Sequence, residues 1–128
     1  MDTSETYIKM CTKAGELQAT RVLEIGDYYA YRNKFGYLVI GSDSFPETTK
    51  QIFIGGCIWL PRQDQLQEMI QNQYGQLGKL SPFGICQKIY KFAGATLISQ
   101  DLMSMEQLWL AFVMKEKCNK IWNGTDWK

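Results

Sequence analysis

The hydrophobic pattern of the chain changes at Pro61, and this change limits the folds that the sequence can adopt. Between Val22 and Ile58, apolar and aromatic residues occur in short runs separated by turn residues, which is typical of antiparallel strands. After Pro61, apolar residues recur at intervals of three and four, which is the spacing of one face of a helix. The pattern therefore predicts an α+β fold.

The first half of the chain is predicted to hold one helix and a small antiparallel sheet. The helix covers residues 3–18, with an alternative, earlier end near Gly15, and Asp2 with Glu5 resembles a capping box. Three or four strands are predicted to follow it: Val22 to Ile25, Asp27 to Arg32, Tyr37 to Ile40 and Gln51 to Ile58. Asn33 and Gly36 suit the turn between the second and third of these strands, because both residue types tolerate positive φ.

Three helices are predicted in the second half of the chain. The first begins at Pro61, because a proline at the first helical position loses no hydrogen bond. The second begins at Ser81, and the third follows Ser104, whose hydroxyl can cap the helix together with Gln107. These helices are expected to pack on one face of the sheet, so that residues 1–128 form a single domain.

The sequence contains no histidine, and this removes several classes of enzyme. Ser-His-Asp and Cys-His nucleophile systems, a histidine general base and His-ligated metal sites all require an imidazole. No phosphate-binding glycine motif occurs, and the four cysteines are spaced too widely for a redox pair or a zinc site. We therefore predict a protein that is not an enzyme, has no catalytic residues and uses no metal or cofactor.

Charge and hydropathy limit the partners and the location of the protein. Residues 1–64 hold 7 basic and 8 acidic side chains (net −1), and residues 65–128 hold 7 and 5 (net +2). Such a balance disfavours nucleic acid, because proteins that contact many phosphates usually have a basic face. No run approaches the roughly 18 to 20 apolar residues of a membrane span, and the polar start of the sequence is unlike a signal peptide. A cytoplasmic protein without membrane contact is expected.

Arg62, Gln63 and Asp64 form the first candidate binding site, at the start of the helix that follows Pro61. Free backbone N–H groups at a helix N-terminus can hold an anion, and Arg62 can add two parallel hydrogen bonds. A phosphate or carboxylate site is one interpretation. Plain capping is the other, in which Asp64 accepts hydrogen bonds from its own turn and Arg62 pairs with a neighbouring carboxylate. The sequence leaves both open.

Tyrosine and tryptophan side chains give two further candidate surfaces. In the stretch DYYAYR, the two-residue period of a strand places Tyr28 and Tyr31 on opposite faces, one of which should be core and the other exposed. An exposed tyrosine near Arg32 could stack a base or anchor a partner protein, although a helix could also cover it. Trp122 and Trp127 flank an Asn-Gly turn, and they must fold back onto the domain or meet a partner.

Two stretches of the sequence resemble a known family. They are WLPRQDQLQEMI, at residues 59–70, and SMEQLWLAFVMKEKCNKIWNGTDW, at residues 104–127, and together they cover about a third of the chain. Both are similar to motifs of a family of small uncharacterised proteins encoded by bacteriophages and prophages. The resemblance implies a phage origin and a shared fold of the second half of the chain. It implies no reaction.

The function that these features favour is binding without catalysis. We predict a phage accessory protein in the host cytoplasm that inhibits a host or defence protein through an aromatic-rich surface. Two alternatives stay open. One is a homo-oligomer that sequesters a nucleotide-like signalling molecule with Arg62, helix N-termini and tyrosines, and the other is an enzyme that works without histidine.

Overall fold

The computed structural model describes residues 1–22, 24–41, 56–74, 81–95 and 102–128, and it has the predicted α+β class. An N-terminal helical segment is followed by an antiparallel sheet and then by further helices. Numbered in chain order over these residues, the helices are α1 (Glu5–Lys13), α2 (Gly15–Ala19), α3 (Gln63–Gln73), α4 (Pro82–Ala95) and α5 (Met105–Cys118), and the strands are β1 (Tyr28–Asn33), β2 (Gly36–Gly41) and β3 (Cys57–Leu60).

The sheet has the order β2-β1-β3, with both neighbours antiparallel to the central strand β1. Directly opposed residues of antiparallel strands point to the same side, so the register assigns each side chain to a face. One face carries Tyr29, Tyr31, Leu38, Ile40, Cys57 and Trp59, and the other carries Tyr28, Ala30, Arg32, Tyr37, Val39, Ile58 and Leu60. We call these the Tyr29 face and the Ala30 face.

Side chains that follow α1 hydrogen-bond to the backbone of the edge strand β3. Gln18 donates to the carbonyl oxygen of Trp59 and accepts from its backbone N–H, both at 2.9 Å. Arg21 donates to the carbonyl oxygen of Cys57 at 2.6 Å. Because the unpaired groups of an edge strand can template pairing with other chains, these contacts protect β3 from such pairing.

Helix α5 is the centre of the helical part of the molecule. It contacts α1, α3 and α4, and α1 in turn contacts β3. All residues from Trp109 to Met114 are buried, and each large apolar side chain buried in this way stabilises the fold by about 1.5–3 kcal/mol. The predicted cap is confirmed, because the Ser104 hydroxyl accepts a hydrogen bond from the backbone N–H of Gln107 at 3.1 Å.

The helix predicted over residues 3–18 is interrupted, which corrects the sequence interpretation. Ala14 has φ −85° and ψ 62°, so α1 ends one residue before it and α2 begins one residue after it. Ser4 is the N-cap and accepts from Tyr7 N at 3.2 Å, whereas Asp2 accepts from Ser4 N at 2.8 Å. The alternative end near Gly15 lies next to the observed break, whereas the apolar spacing continues across it because Ala14 is buried.

Two further predicted boundaries differ from the structure. Val22 and Ile25 lie outside any strand and are exposed, so the first predicted strand is wrong over the part that the structure describes. Helix α3 has Arg62 as its N-cap, so Pro61 precedes the helix and does not begin it. The carbonyl oxygen of Pro61 instead accepts a hydrogen bond from the Tyr7 hydroxyl at 2.5 Å.

The predicted turn between the second and third strands is confirmed as the β1–β2 hairpin. Gly36 has φ +125°, a conformation that side chains rarely adopt, and Asn33 accepts from the backbone N–H of Phe35 at 2.8 Å. The stretch between the third and fourth predicted strands, which the sequence predicts as a loop at residues 42–49 around Pro46, lies outside the described residues, and so does the start of the strand predicted at 51–58. Among the described helices, none is long and apolar enough to cross a membrane.

Candidate binding surfaces

The far end of the β1–β2 hairpin carries exposed apolar and aromatic side chains. Tyr31 and Leu38 are directly opposed across the two strands and are 44% and 52% exposed. Phe35, in the turn, is 88% exposed. We define the hairpin surface as Tyr31, Arg32, Lys34, Phe35, Tyr37 and Leu38. These residues come from both faces of the sheet. The surface is therefore the end of the hairpin and not one face of the sheet.

Burial changes along β1 and not from one face to the other, which corrects the expectation of one core face and one exposed face. Tyr29 and Ala30 point to opposite faces, and both are buried. Tyr31 and Arg32 also point to opposite faces, and both are exposed. The exposed residues are those nearer the turn of the β1–β2 hairpin, and among the described residues β3 pairs with β1 from Tyr28 to Tyr31.

The hairpin surface combines apolar area with positive charge. Residues 28–41 contain Arg32 and Lys34 and no acidic residue. The Lys34 ammonium lies 5.2 Å from the centre of the Phe35 ring, within the range of a cation–π contact. The positive charges therefore lie beside the exposed rings, where a partner that covers the rings would also meet the charges.

Tyr28 is not part of this surface. It lies at the start of β1, opposite Gly41, and is half-buried against the core. A Cβ atom at Gly41 would lie 3.7 Å from the Tyr28 ring, in ordinary van der Waals contact with it. The structure therefore brings Tyr31 and Arg32 together at the far end of the hairpin and leaves Tyr28 at its base.

Arg62 and Asp64 form a two-bonded ion pair at the start of α3. The Arg62 Nε donates to Asp64 Oδ1 at 3.0 Å, and a terminal nitrogen donates to Oδ2 at 3.1 Å. These hydrogen bonds from Arg62 lower the pKa of the Asp64 carboxyl. Gln63, the first residue of α3, is half-buried beside the pair. The arrangement matches the capping interpretation, in which Arg62 pairs with a neighbouring carboxylate.

The other side of the Arg62 guanidinium is also occupied. It donates to the carbonyl oxygen of Gly26 at 2.6 Å and lies 3.5 Å from the carboxylate of Asp27. Asp27 is 1% exposed and also accepts from Gln65 at 2.5 Å and from the backbone N–H of Glu24 at 3.0 Å. An anion at this helix N-terminus would have to displace Asp64 and would lie close to a second carboxylate, that of Asp27. We therefore propose no anion site at Arg62.

Trp122 and Trp127 lie in the core and away from solvent. Their rings are 5.0 Å apart, and their backbones pair in a short antiparallel bridge around the predicted turn. The indole N–H of Trp127 donates to the carbonyl oxygen of Met10 at 3.0 Å, which fastens the end of the chain to α1. The structure thus shows the fold-back arrangement, and it does not place these two rings on the hairpin surface.

Of the hairpin surface, the sequence predictions included Tyr31 and Arg32 but not Lys34, Phe35, Tyr37 or Leu38. Phe35 sits in the predicted turn, and an aromatic residue at a hairpin turn is a usable signal because the core cannot cover it. Leu38 alternates with Tyr37 in a short apolar run, so nothing in the sequence separates its exposed position from a buried one.

Within the ranges that the structure describes, no group of three or more His, Cys, Asp or Glu side chains is placed to hold a metal ion. The chain matches no protein-family model, no curated protein and no solved structure at the required significance. The resemblance to phage-encoded proteins therefore stays a prediction that rests on the two sequence motifs.

Proposed function

We propose that the protein acts by binding another protein through the hairpin surface and that it catalyses no reaction. The observation that carries this proposal is the directly opposed pair Tyr31 and Leu38, both about half exposed, next to Phe35 in the turn. Single exposed apolar residues are normal on any protein. A cluster of them on one projecting element is characteristic of an interaction site.

The composition of the hairpin surface suits the centre of a protein interface. Tyrosine and arginine are enriched among the residues that contribute most to binding, and Tyr31 and Arg32 are adjacent in β1. Burial of apolar surface contributes about 25 cal/mol for each Å² removed from water. The hairpin is also held in shape by the Asn33 side chain and by Gly36, so that little conformational entropy would be lost on binding.

The charge of the hairpin indicates the kind of partner. Arg32 and Lys34 give residues 28–41 a net charge of +2, without any acidic residue to offset it. A partner with an apolar centre and an acidic rim would be complementary to this arrangement and would associate faster at low salt. In line with the resemblance to phage-encoded proteins, we propose that this partner is a host or defence protein and that the bound hairpin blocks its surface.

Affinity capture with matched variants tests the proposal. The tagged protein is incubated with bacterial lysate beside the variants Phe35→Ser and Leu38→Ser, and a captured protein is then purified and tested for direct binding. We expect both variants to lose the partner. Tyr90→Ser is the matched control, because Tyr90 lies on α4 and is 81% exposed. Equal capture by all of these proteins would contradict the proposal.

Self-association is the competing use of the same surface. A second copy of the chain would bring the same positive charges together, which disfavours a symmetric contact through the hairpin. Sedimentation of the purified protein over a range of concentrations separates the two cases. A dimer that dissociates when Phe35 is replaced by Ser would show that the hairpin binds another copy of this chain.

A further inference from the structure

We propose that the groove between α4 and α5 is a second binding site, for a small anion that has a flat apolar body. The groove has a volume of about 370 Å³, within the range of small-molecule sites. Its walls carry three lysines, two phenylalanines and one glutamate: Lys88, Lys91, Lys115, Phe92, Phe112 and Glu116. No residue of the hairpin surface takes part, so this site is independent of the proposed protein interface.

The floor of the groove is aromatic. The rings of Phe92 and Phe112 lie 5.2 Å apart with an angle of 45° between their planes. Phe112 is buried in the core, whereas Phe92 is half-buried and borders the groove. A flat apolar group can therefore pack against Phe92 on a base that the core holds in place.

The contacts of Tyr74 determine which charged side chains of the groove are available to a ligand. Its hydroxyl donates to the Glu116 carboxylate at 2.7 Å, and the Lys88 ammonium donates to the same hydroxyl at 3.1 Å while lying 4.3 Å above the ring. Glu116 and Lys88 are thus held together by Tyr74 on one side of the groove. The positive charge that remains for a ligand is that of Lys91 and Lys115.

The side chains that line the groove have a net positive charge. Three lysines face one glutamate, and α4 contains no acidic residue. Lys115 donates to the Asn119 side chain at 2.6 Å, which uses one of the three hydrogens of its ammonium group. An anion placed over Phe92 would receive hydrogen bonds from the free hydrogens of two ammonium groups, and such charge-assisted bonds are the stronger kind.

Size and shape favour a small ligand over a macromolecule. A nucleic acid requires a track of basic residues along the surface, whereas here the lysines surround one concave, aromatic-floored volume. The nucleotide-like ligand of the alternative function belongs to the same chemical class, and it would bind here and not at Arg62. The shared chemistry is an anionic group next to a flat ring.

Two fluorescent probes with the same rings test the site. The anion 8-anilinonaphthalene-1-sulfonate and its neutral counterpart N-phenyl-1-naphthylamine differ in the sulfonate group. Their dissociation constants are measured for the unmodified protein and for the double variant Lys91→Gln/Lys115→Gln. We expect the variant to bind the sulfonate about tenfold more weakly and the neutral probe within about twofold of the unmodified protein.

The matched control is Lys9→Gln/Lys13→Gln, which removes the same charge from exposed positions on α1. The probes also adsorb to exposed apolar surface, but this background is common to all three proteins because none of the substitutions lies in the hairpin. Melting temperatures of the variants confirm that the fold is intact. A loss of sulfonate binding below about threefold, or an equal loss in the control pair or for the neutral probe, would overturn the proposal.

Discussion

The side chain of Gln65 donates a hydrogen bond to the buried carboxylate of Asp27 at 2.5 Å and so fastens the start of α3 to the residue before β1. Arg62 adds its charge from 3.5 Å. The pair joins the helical and sheet parts of the fold across 38 residues of sequence. These contacts give two of the polar residues after Pro61, Arg62 and Gln65, a structural role.

The first prediction concerns this network. Asp27→Ala should lower the free energy of unfolding by about 2–3 kcal/mol, because it removes the buried carboxylate that accepts from the part-buried donors of Gln65 and Glu24. Asp64→Ala should cost no more than about 1 kcal/mol, since its ion pair with Arg62 is largely exposed. Urea denaturation measures both variants. Similar losses would show that Asp27 has no special structural role.

A second prediction concerns the pH dependence of stability through Asp2. Burial alone would raise the pKa of the Asp2 carboxyl, but hydrogen bonds from Ser104, Ser4 and Gln107 outweigh it and lower the pKa below 3.8. A carboxyl whose pKa is lower in the folded state contributes stability above its unfolded pKa and loses that contribution as the pH falls through the folded pKa. The Asp2 contribution should therefore be complete at neutral pH and decline below about pH 4.

Asp2→Asn tests this linkage. The variant should be less stable than the parent by about 1–2 kcal/mol at pH 7, because neutral acceptors form weaker hydrogen bonds than carboxylates. The difference should shrink as the pH is lowered towards 3. Thermal unfolding across this range gives the comparison. A stability difference that is independent of pH would show that the Asp2 charge contributes nothing.

The third prediction concerns the buried tryptophans. Trp127→Phe keeps an aromatic ring against Trp122 but removes the indole N–H that donates to Met10, and it should cost about 1–2 kcal/mol of unfolding free energy. Because the ring is buried, the variant should bind any partner as tightly as the parent does at temperatures where it is folded. Weaker partner binding by a fully folded Trp127→Phe protein would place the C-terminal turn in the interface.

Thiol reactivity gives a fourth prediction. Cys86 is exposed, whereas burial raises the pKa of the Cys11 thiol and of the Cys57 thiol. A thiol reagent should therefore modify Cys86 rapidly in the native protein and reach Cys11 and Cys57 after denaturation. Cys86→Ser removes the fast phase if this assignment is correct. A fast phase that persists in the variant would mean that Cys118, which is half-buried, or one of the two buried thiols reacts in the native protein.

Local sequence signals predicted the parts of the fold that depend on neighbouring residues. The hairpin followed from Asn33 and Gly36, and the start of α5 followed from Ser104 with Gln107, because each signal acts over two or three residues. The break at Ala14 leaves the apolar spacing intact, so only Gly15 indicated an earlier end of the first helix, and nothing indicated that a second helix would begin there.

The candidate site was harder to predict, because exposure depends on elements that are distant in the sequence. Tyr31 is 44% exposed and Tyr29 is buried although they share a face of β1 and both pair with β3. In the same way, Arg62 is a plausible anion ligand in the sequence, but in the structure it pairs with Asp64 and also contacts Gly26 and Asp27 from before β1. Contacts between residues that are distant in the sequence cannot be predicted from the spacing of apolar and polar residues within one segment.

The most direct test of the account is the dissociation constant of the complex between this protein and its captured partner, measured for Tyr31→Ser/Leu38→Ser beside Tyr90→Ser. The account predicts that the hairpin double variant binds at least about 30-fold more weakly, as expected when two interface anchors of about 1 kcal/mol or more are removed. It also predicts that Tyr90→Ser binds like the parent. Equal affinities for the parent and the hairpin double variant would contradict the claim that the protein acts through the end of its β1–β2 hairpin.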